Sequence, residues 1–252
     1  MTNWVFLRGL TRESAHWGTF PALFQAAIPG STVHLIDLPG NGQQHRDTSP
    51  CTVAGMVDAC RAERRRLGAA GPVHLLAMSM GAMVATEWAR VAPEELAACV
   101  LINTSLRPFS PFHHRLQPRN YLALCRLVMG GLNAQEAERE VFRMTCNHPD
   151  QQRDTVERWT QVRTQRPVAP RNALRQLLAA ARYRAPLQAP SVPMLLLSSA
   201  QDHLVSSRCS QAMASAWGCP LKTHPSAGHD LPQDAPRWVA QQVRDWVTAT
   251  RT

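Results

Sequence analysis

The chain contains no apolar stretch long enough to span a bilayer, no internal repeat and no low-complexity segment. A helical membrane span and a solenoid are thereby excluded. Its seven cysteines, at positions 51, 60, 99, 125, 146, 209 and 219, are odd in number and include no C-x-x-C pair. That usage argues against a disulfide framework and for reduced thiols, so a cytoplasmic location is expected. A signal peptide is not expected either, because Trp4-Val5-Phe6-Leu7 already reads as a core strand running into Arg8. His113 and His114 are adjacent in a polar loop, without the i, i+4 offset that puts two rings on one helix face. The dinucleotide-binding pattern is incomplete, since Gly40-Asn41-Gly42 lacks a third glycine and opens no helix. Neither a metal nor an organic cofactor is expected. Few aromatics interleave the arginines, so the net charge of +9 comes with no nucleic-acid recognition motif.

What is present is an alternation. At 252 residues the chain can bury one sizeable core. Apolar runs near residues 3–7, 32–36, 73–78, 97–103, 193–199 and 220–224 read as strands. Helical stretches separate them, from Trp17 to Ala27, Thr52 to Leu67, Gly81 to Ala92, Ser206 to Trp217 and Pro236 to Thr248. The alternation predicts an α/β architecture, a mostly parallel, doubly wound sheet of about six strands. Between Leu106 and Pro190 the strand runs stop. Helical periodicity takes over, from Tyr121 to Met129, Ala134 to Cys146, Gln151 to Arg163 and Asn172 to Ala181. Residues 1–105 and 191–252 therefore read as the core, and 106–190 as an inserted helical cap over the functional site. Met129-Gly130-Gly131 reads as a helix C-cap or a hinge. The insertion holds fourteen arginines, no lysine and six carboxylates, a net of +8 within the chain's +9. Solvated helix faces, an anionic or carrier-bound substrate, and a membrane surface are the open readings of that charge.

Ala77-Met78-Ser79-Met80-Gly81 stands where the third apolar run meets a helix. A serine at such a junction sits on a tight, strained turn with its hydroxyl above the carboxyl edge of the sheet. Small residues two before and two after it are a steric requirement of that turn, met here by Ala77 and Gly81. Asp202 follows the last clear buried strand, and His229 follows a short extended segment in Ala227-Gly228-His229-Asp230. Loops after parallel strands emerge at one edge, so the three side chains can converge. Their chemistry is complementary: serine as nucleophile, histidine as base, carboxylate to orient the histidine. Simpler readings exist for each, namely a helix N-cap for Ser79, a turn for Asp202 and a solvated loop for His229. His203, beside Asp202, is the rival base. His34 and His74 fall inside strands, while His16, His45, His148 and His224 read as loop or surface residues.

Together these motifs resemble the α/β-hydrolase superfamily, and within it the capped serine hydrolases of esterase or lipase type. Ala77 replaces the first glycine of the family's nucleophile elbow, and the order Ser, Asp, His is the superfamily's order. Asp37-Leu38-Pro39-Gly40-Asn41-Gly42 resembles the D-x-P-G-x-G turn of capped members. The resemblance spans the whole chain apart from the insertion. It implies that the backbone N–H groups of Leu10 and Met80 form an oxyanion hole, and that Arg8, Gly9 and Trp17 lie at the substrate. Arg8 stands where the family has histidine. It either pairs with a structural carboxylate or reads an anionic substrate group. The implied activity is cleavage of a small-molecule carboxylic ester through an acyl-enzyme. Alternatives are a thioesterase or methyl esterase acting on an acyl group borne by CoA or an acidic carrier protein, as in the pimeloyl-carrier methyl esterases. Two further ones are a lyase on the same triad, as in menaquinone biosynthesis, and a binding protein whose triad has lapsed. Chain length, leaving group and oligomeric state stay open.

Overall fold

Alternating side chains give the four central strands two apolar faces, and each face of the sheet has its own helices. The strands are β1 (Thr2–Leu7), β2 (Ser31–Ile36), β3 (Val73–Met78), β4 (Leu96–Ile102), β5 (Met194–Ser199) and β6 (Leu221–His224). In the computed structural model, which describes residues 2–250, they form one sheet in the order β2-β1-β3-β4-β5-β6. Every pairing is parallel. The helices are α1 (Phe20–Ala27), α2 (Val53–Arg66), α3 (Met80–Val91), α4 (Phe112–Arg115), α5 (Tyr121–Met129) and α6 (Ala134–Thr145). They continue with α7 (Gln152–Gln165), α8 (Pro170–Arg182), α9 (Arg208–Trp217), α10 (Leu231–Asp234) and α11 (Pro236–Ala249).

Val5, Leu75 and Leu101 pack against α2, α3 and α9 through Met56, Trp88 and Met213. Trp4, Leu76 and Val100 pack on the other side against α1 and α11 through Phe24 and Val243. Burial on both faces is why the strands read as near-continuous apolar runs rather than as alternating ones. Helix ends follow local chemistry. Thr52 caps α2 by accepting the Gly55 N–H at 3.2 Å, and Arg64, Arg65 and Arg66 sit at its negative end. Gly130 ends α5 in the left-handed conformation at φ 75°, so Met129-Gly130 is a C-cap.

The chain runs outward from β1 to β2, then reverses to β3 on the other side of β1. Loops diverge at such a reversal and leave a crevice at the carboxyl ends of the strands, here beside Arg8 and Ser79. Helices α4 to α8 are inserted between β4 and β5, and α5, α6 and α7 share a small apolar cluster that includes Ala123, Val141, Phe142, Val156 and Trp159.

Two histidine readings change. His16 is buried rather than on the surface, in a 3₁₀ turn at Ser14–Trp17, because Trp159 of α7 covers it with ring centroids 5.9 Å apart. His113 and His114 belong to α4 rather than to a loop. Among the described residues no helix is long and apolar enough to cross a membrane.

Candidate active site

Ser79 joins β3 to α3 at φ 55° and ψ −117°, a region that L-residues with a side chain seldom occupy. The surroundings hold it there. Its N–H donates to Ile102 O at 2.9 Å, and Thr104 Oγ1 donates to Ser79 O at 2.9 Å, so both ends of the peptide are tied to the end of β4. A Cβ on Gly81 would lie 2.6 Å from the carbonyl oxygens of Leu7 and Arg8, which forces a residue without a side chain where α3 crosses β1. Gly9 is just as close to the serine: a Cβ there would sit 3.1 Å from Ser79 Cβ.

Met80 opens α3, and the first N–H groups of a helix have no partner one turn back. In the turn after β1, Arg12 N–H bonds Gly9 O at 3.2 Å and Thr11 N–H bonds Gln176 Oε1 at 2.9 Å. Leu10 N–H stands outside both bonds. Thr11 has φ 52°, a strained value for a β-branched residue. Gln176 of α8 is fully buried and clamps this turn, while its Nε2 donates to Asn41 Oδ1 at 2.8 Å and Ser49 Oγ at 3.0 Å.

His229 Nδ1 lies 2.7 Å from Asp202 Oδ2, with both side chains almost withdrawn from water. A carboxylate only accepts, so Nδ1 carries the proton and Nε2 is free to act as a base. Asp202 Oδ1 also accepts the N–H groups of Leu204 and Val205, at 2.8 and 2.9 Å. One oxygen of Asp202 thus closes the turn, and the other bonds His229. His203 is turned away, with its Nδ1 3.5 Å from Arg119 Nη1. The histidine loop is secured from several directions. Asn103 Nδ2 donates to His229 O at 2.8 Å, and Asp234 Oδ2 accepts Gly228 N–H at 2.7 Å. Asn147 Nδ2 donates to Gln201 O and Ser226 O, both at 3.0 Å, which ties the insertion to both the aspartate loop and the histidine loop.

Arg8 pairs with a structural carboxylate, one of its two readings. It makes a two-pronged pair with Asp230, at 3.1 and 2.5 Å, and it lines the same cavity as Ser79. Burial alone would raise the Asp230 pKa; the charge and hydrogen bonds of Arg8, with the charge of Arg12, bring it below the usual carboxylate value. Trp17 is not on the cavity wall. It packs among Phe6 and Phe20 behind Arg8, whose guanidinium lies 4.7 Å from its ring centroid.

The cavity is bordered by Ser79, His229 and the turn after β1 on one side. Leu124, Leu127, Val141 and Met144, from α5 and α6 of the insertion, form an apolar wall on the other. Arg12, Gln176, Asn103, Asn147 and Asp230 complete the site without having been singled out from the sequence. Arg12 and Asp230 lie next to the motifs, but no local signal marks Gln176. Several arginines of the insertion are individually paired. Arg143 bonds Glu140 at 2.5 Å, Arg163 bonds Glu138 at 2.6 Å and Arg166 bonds Glu13 at 2.5 Å.

Comparison with known proteins agrees with this architecture. A pimeloyl-acyl-carrier-protein methyl ester esterase of Serratia marcescens is 24% identical over 233 residues, 84% of this chain and 80% of that protein. One of the same description from Xanthomonas campestris pv. campestris is 31% identical over 90 residues, 35% of this chain and 33% of that protein. Among solved structures, a thermophilic esterase from Thermogutta terrifontis superposes with a TM-score of 0.76 at 23% identity, covering 100% of this chain and 91% of that one. A hydrolase from Pseudomonas aeruginosa PA01 gives 0.80 at 17% identity, covering 98% and 89%. The model of the alpha/beta hydrolase family matches residues 4–242. With nearly its whole length inside that match, the chain belongs to the alpha/beta hydrolase family and is a hydrolase.

Proposed function

We propose that the protein cleaves carboxylic esters by transferring the acyl group to Ser79. Ser79 Oγ attacks the carbonyl carbon as its proton passes to His229 Nε2, and Asp202 stabilises the imidazolium that forms. The N–H groups of Leu10 and Met80 hold the tetrahedral oxyanion. Collapse expels the alcohol, which takes its proton from His229. A water deprotonated by His229 then releases the acid and restores the serine. Residues 106–190 serve as a cap that walls the acyl site with apolar side chains and excludes water. Free thiols at all seven cysteines fit a cytoplasmic protein.

One observation carries this reading: a serine held at φ 55° opens on the same cavity as a histidine whose other nitrogen bonds a buried carboxylate at 2.7 Å. Among the described residues the Ser79 hydroxyl has no hydrogen bond to His229, and such contacts tighten when substrate is seated. Steady-state turnover of p-nitrophenyl esters is the test. Ser79→Ala is expected to lose at least about 10³-fold in kcat while folding normally. Turnover at the wild-type rate in that variant would overturn the mechanism.

A second reading concerns the substrate's carrier. The extended similarity to a carrier-protein methyl ester esterase and the net +8 of the insertion favour an acyl group presented by an acidic protein. It predicts a higher kcat/KM for a carrier-borne methyl ester than for the free methyl ester. The advantage should shrink as salt is raised, because exposed charges are screened beyond about 8–10 Å.

A further inference from the structure

Glu138 of α6 holds two arginines at once. Its Oε2 accepts from Arg12 Nη1 and its Oε1 from Arg163 Nε, both at 2.6 Å. Both oxygens are engaged, so this group of three side chains carries one positive charge that no carboxylate matches. The next carboxylate, Asp230, is already taken by Arg8. Arg12 lies on the wall of the cavity that holds Ser79 and His229, is 7% exposed, and among the described residues has no hydrogen-bond partner at Nη2. Its guanidinium stacks 4.1 Å from the Trp159 ring centroid, which fixes the plane of the unused donors. Arg8 Nε, on the same wall, is also unpartnered. Burial lowers the Arg12 pKa, and the charges of Arg8 and Arg163 add to that against the opposing pull of Glu138.

A buried guanidinium with an idle donor and an unmatched charge is costly unless a ligand supplies the missing acceptor. Water-filled surface chemistry does not explain it, since the neighbouring wall is Leu124, Leu127, Val141 and Met144. We infer that this arginine-lined pole of the cavity is an anion subsite, and that the ester cleaved carries a carboxylate separated from the ester by a short apolar chain. The inference rests on the ester-hydrolase reading and adds the substrate class to it. A carboxylate fits better than a phosphate dianion because a single charge is unmatched, and because its two oxygens suit the planar fork of arginine. The charge concerned is interior and separate from exposed arginines of the insertion such as Arg139.

The experiment pairs charged and neutral substrates. p-Nitrophenyl half-esters of succinate, glutarate and adipate are compared with p-nitrophenyl esters of chain-matched monocarboxylic acids. A second arm places the carboxylate on the alcohol, with the butyryl ester of 4-hydroxybutyrate set against butyl butyrate. In one of the two arms kcat/KM is expected to favour the carboxylate by about 10- to 100-fold, the arm reporting which side of the ester faces Arg12. In Arg12→Gln the ratio of charged to neutral kcat/KM should fall to about one, a ratio in which any general loss of activity cancels. Binding is read separately by calorimetry of monomethyl adipate against methyl hexanoate on Ser79→Ala. Ester turnover with no preference in either arm, and no tighter binding of the acid, would overturn the subsite while leaving the hydrolase reading intact. Absence of all turnover with Arg12-dependent binding would do the reverse. If Arg12→Gln does not fold, the wild-type ratios and the binding difference decide the matter alone.

Discussion

Arg8 and Asp230 face each other through two hydrogen bonds, Nη1 to Oδ1 at 3.1 Å and Nη2 to Oδ2 at 2.5 Å, with each side chain about 3% exposed. Arg8 directly follows β1, just before the turn carrying Leu10, and Asp230 follows His229. The pair therefore locks the turn that carries Leu10 to the loop that carries His229. Arg8→Met leaves a buried carboxylate without its partner and is expected to cost about 3–5 kcal/mol of folding stability. Asp230→Leu should cost a similar amount, and the double variant should recover most of the loss. Chemical denaturation of the four proteins as a double-mutant cycle measures the coupling.

His16 makes stability depend on pH. Its pKa lies well below the ordinary histidine value, first because it is buried and then because Arg12 and Arg8 are near. The native state keeps the ring neutral, while the unfolded chain takes up a proton below about pH 6.5. Stability is therefore full above that pH and falls as pH drops toward the depressed native value, by up to about 1.4 kcal/mol per pH unit. In His16→Asn, where an amide oxygen can accept the Glu13 N–H in place of Nδ1, the slope between pH 6.5 and 5 should flatten. Urea midpoints across that range provide the measurement.

The two adjacent candidates Asp202 and His203 should separate sharply. Asp202→Asn is expected to lose about 10³- to 10⁴-fold in kcat, because the amide no longer fixes the productive tautomer of His229. His203→Ala should stay close to wild type, since that ring bonds no member of the site. The reverse order of effects would assign the base wrongly.

Asn147 reaches from the end of α6 to the loops of both Asp202 and His229. Asn147→Ala removes both donors and is expected to lower kcat about tenfold with a smaller change in KM. Asn147→Asp should not rescue it, because a carboxylate cannot donate to either carbonyl. A change confined to thermal stability, with kcat unaltered, would mark the bonds as structural only.

The sheet was legible because its four central strands, β1, β3, β4 and β5, are apolar and largely buried on both faces. Strand ends fell within a residue or two of those read from the sequence, and the four longer helices of the insertion were visible in their periodicity. The convergence of Ser79, Asp202 and His229 at one edge of the sheet was legible because strand ends anchor them. The partners were not. Arg8 could be read either way until Asp230 was seen across from it, 222 residues along the chain. His16 looked like a surface residue because Trp159, which buries it, belongs to another helix. Trp17 was placed at the substrate by analogy, yet the aromatic cluster of Phe6 and Phe20 draws it into the core. Gln176 sits on a helix whose sequence shows only an amphipathic stripe, and its function comes wholly from what it meets.

The central claim is that Ser79 is the nucleophile, and covalent labelling tests it most directly. The protein is treated with a fluorophosphonate, digested, and the modified residue located by peptide mass spectrometry. The account predicts one adduct, on Ser79, formed far more slowly in His229→Ala and absent in Ser79→Ala. An adduct on a different residue, or equal labelling of Ser79→Ala, would contradict it.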